Sequence, residues 1–254
     1  MLDSRLASRQ AVFSRILTAA CGPGPEWDKV IPDSLSGLIV RGAGASQTDP
    51  SCNRVGWTVT LETPMTNLRY ADKVVIVTGG SSGIGKGCAQ EFVRAGAKVI
   101  ICCNDQDEGL DVATALSEIA KAQDAGAATF VYCDVRKTDD IRNLVDGTIA
   151  QYGKLDCLIN NAGWHPPHKA IDDFSVDDFR DLLELNLVSI FTACKFALPY
   201  LRQTKGNIIN MASLVATIGQ QHATTYVATK GAITAFTKAL AVDEAPNGVR
   251  VNSV

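Results

Sequence analysis

Lys73-Val-Val-Ile-Val-Thr-Gly-Gly-Ser-Ser-Gly-Ile-Gly85 decides the fold. Its first half is an unbroken apolar run, the pattern of a strand buried on both faces of a parallel sheet. Its second half is a glycine turn opening a helix that reads from Ile84 to Ala95 and closes at Gly96. Glycines there permit positive φ, close approach of the backbone to a diphosphate, and tight packing of helix on strand. The N-terminus of such a helix offers unpaired N–H groups and a partial positive charge to phosphate oxygens.

The same rhythm continues downstream. Lys98–Cys103 reads as a strand, Glu108–Ala122 as a helix, Thr129–Cys133 as a strand and Thr138–Tyr152 as a helix. Leu155–Asn160 is strand-like, and a long helix follows from about Val176 to Leu201, with Ser175-Val-Asp-Asp178 as its capping box. Asn207–Met211 is a strand, His222–Glu244 a helix, and Val249–Val254 opens another strand. Strand alternating with helix implies βαβ units, hence an α/β fold with a Rossmann-like, doubly wound parallel sheet.

Upstream the pattern is lost. Residues 1–69 carry scattered Gly and Pro, as in Cys21-Gly-Pro-Gly-Pro25 and Arg41-Gly-Ala-Gly44, without sustained periodicity. They read as a disordered or atypical extension, too poor in patterned apolar residues to offset the entropy of ordering. The regularly patterned α/β domain then occupies residues 70–254. Arg5, Arg9 and Arg15 against the single acid Asp3 faintly imitate a mitochondrial transit peptide. The expected location is cytoplasmic, with mitochondrial as the alternative.

Composition narrows the function classes. A net charge of −3 gives no electrostatic footprint for nucleic acid. No run reaches the roughly 18 apolar residues of a membrane span. The eight cysteines and three histidines show no metal-ligand spacing, so no metal is expected, and most cysteines sit in apolar runs as reduced, buried thiols.

Thr225-Tyr-Val-Ala-Thr-Lys230 opens the last long helix. Residues four apart share a helix face, so Tyr226 and Lys230 project together. A free tyrosine ionises near pH 10, too high for a base at neutral pH, and a neighbouring ammonium lowers that value.

The spacing Thr78-Gly79-x-x-x-Gly83-x-Gly85, with the motifs above in the same order, resembles the short-chain dehydrogenase/reductase family over about residues 72–254. The resemblance implies an oxidoreductase that exchanges a secondary alcohol and a ketone by hydride transfer to NAD or NADP. Gly79, Ser82, Gly83, Ile84 and Gly85 would then hold the diphosphate. Cys103 falls where relatives that prefer NAD place an acid on the ribose, and Asp105, two residues on, can reach the ribose if the turn allows. With no nearby cation for an extra phosphate, NAD is expected over NADP.

Asp134 and Val135 match the adenine-contacting pair, and Asn161, Ala162 and Gly163 the small residues lining the pocket. Tyr226 and Lys230 would transfer the proton and also bind cofactor, Ser213 would hold the substrate oxygen, and Asn186 would hold a water in the relay. Stretches such as Asn161-Ala-Gly-Trp-His-Pro-Pro167 and Ile218-Gly-Gln220 are similar to 17-beta-hydroxysteroid dehydrogenases within the family. They imply a steroid 17-beta-hydroxyl or a sugar hydroxyl as substrate, with His165, Gln220 and Ser213 around it.

Beyond Val254 the family pattern continues into a Pro-Gly loop, a substrate lid, a last strand and a helix. This sequence is therefore expected to lack that strand and lid. The family's homo-oligomer, a homotetramer, becomes doubtful, and a non-catalytic fragment binding only a dinucleotide or a partner is the alternative.

Overall fold

Five consecutive apolar or β-branched residues, Val74–Thr78, form strand β1, and all five are buried. In the computed structural model, which describes residues Leu68–Val254 other than 123 and 125, β1 lies at the centre of a parallel sheet. The reading of the N-terminal extension as disordered concerns positions outside the described residues up to 67.

The other strands are β2 (Lys98–Cys103), β3 (Ala127–Tyr132), β4 (Cys157–Asn160), β5 (Asn207–Asn210) and β6 (Arg250–Ser253). Their spatial order is β3-β2-β1-β4-β5-β6. Each is parallel to its neighbours, with Ile76 level with Ile100 on one side and Leu158 on the other. The order reverses between β1 and β4, and a cleft at the carboxyl ends of the strands is expected there.

Helices cover both faces, which is why the strands read as apolar throughout rather than alternating. They are α1 (Gly83–Arg94), α2 (Gln106–Ala122), α3 (Thr138–Tyr152), α4 (Val176–Leu183), α5 (Ser189–Thr204), α6 (Val215–Ile218) and α7 (Thr224–Glu244). Val75, Val77, Val99 and Ile101 pack with Phe92 and Val93 of α1 and Leu116 of α2. Their strand neighbours Val74, Ile76 and Ile100 point to the opposite face. There they meet Leu144 of α3, Leu201 of α5 and Ile233 of α7. Each such side chain contributes about 1.5–3 kcal/mol by leaving water.

The long helix begins as its capping box requires. Ser175 Oγ accepts from the Asp178 N–H at 2.9 Å, and the Asp178 carboxylate accepts from the Ser175 N–H at 3.0 Å. Unlike the single α-helix expected, it passes through a π turn at Glu184–Val188 before α5 begins. The whole helix, Val176–Thr204, is long and apolar enough to cross a membrane, yet half of its most apolar window is buried in this fold. A core helix lying between sheet and solvent has the same composition.

Helix α2 sits close against the sheet at Gly109. A Cβ at that position would overlap the ring of Phe130 on β3. Gly109→Ala is therefore expected to destabilise the protein by about 1–3 kcal/mol through overpacking, measured by denaturant unfolding. Asp111→Asn, on the exposed side of the same helix, should change it little.

Candidate active site

The glycine turn is locked in place from two sides. Gly79 and Gly83 adopt positive φ of 60° and 52°. The Thr78 hydroxyl accepts from the N–H groups of Asn161 and Ala162, both at 3.0 Å. The Asn161 side-chain amide donates back to the carbonyls of Thr78 and Gly79, again at 3.0 Å each. Asn161 is thus a clamp between the ends of β1 and β4 rather than only a pocket wall.

A Cβ on Gly85 would overlap the Gly79 carbonyl oxygen and the Asn161 amide nitrogen. Ser82 precedes α1 without capping it through its side chain, so the first-turn N–H groups keep their capacity for an anion. The turn, its unfilled glycine cradle and the uncapped helix end fit a dinucleotide diphosphate.

A cleft of about 790 Å³ runs from this turn across the switch point. It is lined by Gly79, Ser82, Gly83, Ile84, Cys103, Asp134, Val135, Asn161, Ala162, Gly163, His165, Tyr226 and Lys230, all expected from the sequence. Gly85 is not part of this lining and packs against the Gly79 carbonyl and the Asn161 amide. A separate, mostly apolar groove of about 1090 Å³ follows β6. It holds none of the dinucleotide residues, although Ser213 and Ala212 border it.

At the adenosine end the expected side chains have partners within the protein. Asp105 was expected to reach the ribose. Its carboxylate instead accepts from the Glu108 N–H at 2.9 Å, and Asp105 lies outside the cleft lining. A short acidic side chain just before a helix finds free N–H groups nearer than any ligand. The Cys103 thiol is likewise turned onto the Asp105 carbonyl, at 3.0 Å.

Asp134 lines the cleft, but Arg136 already holds it through Nε at 2.9 Å and Nη2 at 2.7 Å. That guanidinium keeps the Asp134 carboxyl below its ordinary pKa. Arg136 borders the cleft as well, a cation close in space that the sequence around Cys103 did not reveal. Ser81 and Glu108 are further lining residues that sequence reasoning missed. The Ser81 hydroxyl donates to Glu108 Oε2 at 2.8 Å.

The nicotinamide end gathers the residues of the last helix. The Lys230 ammonium is buried, donates to the Met211 carbonyl at 2.7 Å, and lies 5.6 Å from the centre of the Tyr226 ring. Burial pulls its pKa down from 10.5 to about 8. Burial also pushes the Tyr226 hydroxyl above its ordinary value, while a hydrogen bond with Ser213 acts the other way. The three expected side chains therefore converge.

Asn186 is completely buried in the π turn. Its Oδ1 accepts from the Trp164 N–H at 2.9 Å, and its Nδ2 donates to the Trp164 carbonyl at 3.0 Å and to Thr229 Oγ1 at 3.2 Å. Both ends of the amide are committed. These bonds fix the loop after β4 against α7, one residue from Lys230. The π turn gives Asn186 this place, as such turns often do near functional sites.

Over the mouth, the His165 ring packs against Tyr226 with centroids 4.1 Å apart. Gln220 reaches His165 Nε2 at 3.4 Å and His168 Nε2 at 2.9 Å. His165 and Gln220 were expected together and are found together; His168 is an addition.

The Lys230 pKa has a consequence for stability. Because the folded value lies below the unfolded one, the unfolded chain binds more protons here between about pH 8 and pH 10. Burying the charged lysine costs on the order of 3 kcal/mol below pH 8. Stability from this group is thus expected to rise with pH across that window. The buried thiols of Cys88 and Cys194, whose pKa values burial raises, and of Cys102, raised by its hydrogen bond with Cys133 and by burial, lower stability over the same range in both wild type and Lys230→Met. The expected result is therefore a difference in denaturant midpoint between the two proteins that shifts in favour of wild type from pH 8 to pH 10.

The short chain dehydrogenase family model matches residues 73–254. The chain is 51% identical to L-fucose dehydrogenase of Bos taurus over 186 residues, 73% of this chain and 66% of that relative. It is 33% identical to a 3beta-hydroxysteroid dehydrogenase of Mediterraneibacter gnavus, covering 73% of this chain and 66% of the relative. It is also 33% identical to meso-2,3-butanediol dehydrogenase of Serratia marcescens, with 74% and 71% covered. The chain thus spans just under two thirds of the length of the first two. The glycine turn, the Asn161 clamp and the Ser213–Tyr226–Lys230 group all lie inside the matched region, and the chain belongs to the short-chain dehydrogenase family.

Proposed function

We propose that this chain is a nicotinamide-dependent dehydrogenase that interconverts a CH–OH group and the corresponding carbonyl, with NAD preferred over NADP. The observation that carries the reading is the convergence of Tyr226 and Lys230 on the cleft that begins at the glycine turn. When bound, the cofactor supplies hydride exchange at the substrate carbon. Gly79, Ser82, Gly83 and the first turn of α1 would hold its diphosphate, and Val135, Ala162 and Gly163 would border its two ends.

As the phenolate, Tyr226 takes the proton from the substrate hydroxyl during oxidation, and as the phenol it returns that proton to the carbonyl oxygen during reduction. Ser213, bonded to that hydroxyl, orients the same oxygen. The Lys230 charge, 5.6 Å from the ring centre, favours the phenolate and works against the burial that raises the Tyr226 hydroxyl above its ordinary value. Asn186 keeps the Gly163–Trp164 loop and α7 in register around them.

A sugar hydroxyl is the favoured substrate over a steroid 17-beta-hydroxyl, the class that the resemblance to 17-beta-hydroxysteroid dehydrogenase type 14 suggests. Support comes from the 51% identity to an L-fucose dehydrogenase, against 33% to a hydroxysteroid dehydrogenase. The polar rim of His165, His168 and Gln220 can pair several hydroxyls of a sugar. The buried thiols at Cys88, Cys102, Cys133 and Cys194 agree with a reducing, cytoplasmic compartment.

The test is turnover by the full chain with NAD and, in turn, L-fucose, 2,3-butanediol and oestradiol, followed as reduced nicotinamide. Preference for the sugar supports the proposal. Turnover confined to the steroid would replace the substrate assignment, and a folded, cofactor-saturated chain inactive on all three would defeat the enzymatic reading.

A further inference from the structure

The carboxylate that relatives preferring NAD carry at the end of the second strand is replaced here by Cys103, whose thiol is turned onto the Asp105 carbonyl. Asp105 is spent on capping α2. Glu108, one turn into that helix, lines the cleft beside Cys103 and Asn104. We propose that Glu108 is the residue that holds the adenosine ribose and excludes a 2′-phosphate, so that a carboxylate from helix α2 does the work normally done from the strand end. This rests on the reading of the cleft as a dinucleotide site.

The position is a held one. Ser81, buried within the glycine turn, donates to Glu108 Oε2 at 2.8 Å and so fixes the carboxylate toward the phosphate-binding loop. The Glu108 N–H is in turn tied to the Asp105 carboxylate at 2.9 Å. The next residue, Gly109, lets α2 approach β3 more closely than any side chain would allow, because a Cβ there would overlap the Phe130 ring. Helix, loop and sheet together therefore set where Glu108 stands.

A carboxylate has about four acceptor sites, and the Ser81 bond uses one of them. The remaining oxygen can accept from the 2′- and 3′-hydroxyls of a ribose, a charge-assisted pairing. A phosphate on the 2′-oxygen would bring two negative groups together and remove one of the donors. Arg136, the cation on this side of the cleft, is already paired with Asp134 through two guanidinium nitrogens and does not offset Glu108.

The test is equilibrium binding of NADH and NADPH to the full chain, read by nicotinamide fluorescence, with no substrate present. Wild type should bind NADH about tenfold or more tightly than NADPH. Glu108→Gln should weaken NADH binding about tenfold and narrow the difference, and Glu108→Arg should invert it. Ser81→Ala should reproduce part of the Glu108→Gln effect, because it frees the carboxylate to turn away. Asp111→Asn, on the exposed face of the same helix, should change neither constant.

Unchanged constants in Glu108→Gln and Glu108→Arg would overturn the assignment while leaving the dinucleotide site intact. Binding of neither nucleotide by folded wild type would overturn the site reading itself, and this proposal with it.

Discussion

Tyr226→Phe is expected to lower turnover by about 10²–10⁴-fold while leaving folding and dinucleotide binding close to wild type. The substitution removes only the hydroxyl. The ring keeps its contacts with His165, at 4.1 Å between centroids, and with Lys230 beneath it. What disappears is the one group in the cleft that both meets Ser213 and stands over a buried ammonium. Steady-state kinetics paired with a cofactor titration separate the cases. A loss confined to kcat supports proton transfer by Tyr226, whereas an equal loss in cofactor affinity would make it a binding residue only.

Gly85→Ala should be the most damaging change of a single methyl group. Its Cβ would have to occupy the space of the Gly79 carbonyl oxygen and the Asn161 amide nitrogen. Neither can step aside, since Asn161 is bonded to both Thr78 and Gly79 and also anchors β4. A cost of about 3 kcal/mol follows, equivalent to a fall in Tm of roughly 6–12 °C for a domain of this size. Cofactor affinity should drop at least about tenfold as the turn opens.

Gly83→Ala makes the contrast. That position has φ of +52° but open space around a Cβ, so the change should cost only about 1–2 kcal/mol of backbone strain. Thermal unfolding and cofactor titration of the two variants side by side check the ranking. Equal, small effects would show that the turn is not held as tightly as its contacts imply.

The architecture was legible because burial on both faces leaves a plain mark. Runs such as Val74–Val77 and Val99–Cys102 have no polar side to write into the sequence, and the helices between them start and stop at glycines and caps. The capping box at Ser175 is wholly local, so four residues sufficed to place it. The π turn at Glu184–Val188 left no such mark, since the apolar spacing runs through it unbroken; the insertion is compelled by how Asn186 meets Trp164 and Thr229.

The site divides in the same way. Tyr226 and Lys230 are four apart on one helix, so their convergence is a property of the helix itself. Asp105 and Asp134 each have a partner within the protein that spacing alone does not reveal, an N–H of α2 in one case and the Arg136 guanidinium in the other, and only Asp134 lines the cleft. Glu108 could not be singled out because nothing local distinguishes it from the other acids of α2. Only the packing of Gly109 against Phe130 and the bond from Ser81 turn it into a cleft residue.

The most direct measurement of the central claim is the ultraviolet difference spectrum of tyrosinate on adding NAD to the full chain near pH 8. With Tyr226 beside Lys230 in a cleft that receives a cationic nicotinamide, NAD should raise the phenolate signal in wild type and leave it flat in Tyr226→Phe. Saturating NAD with identical, flat spectra from both proteins would contradict the assignment of Tyr226 as the proton-transfer group.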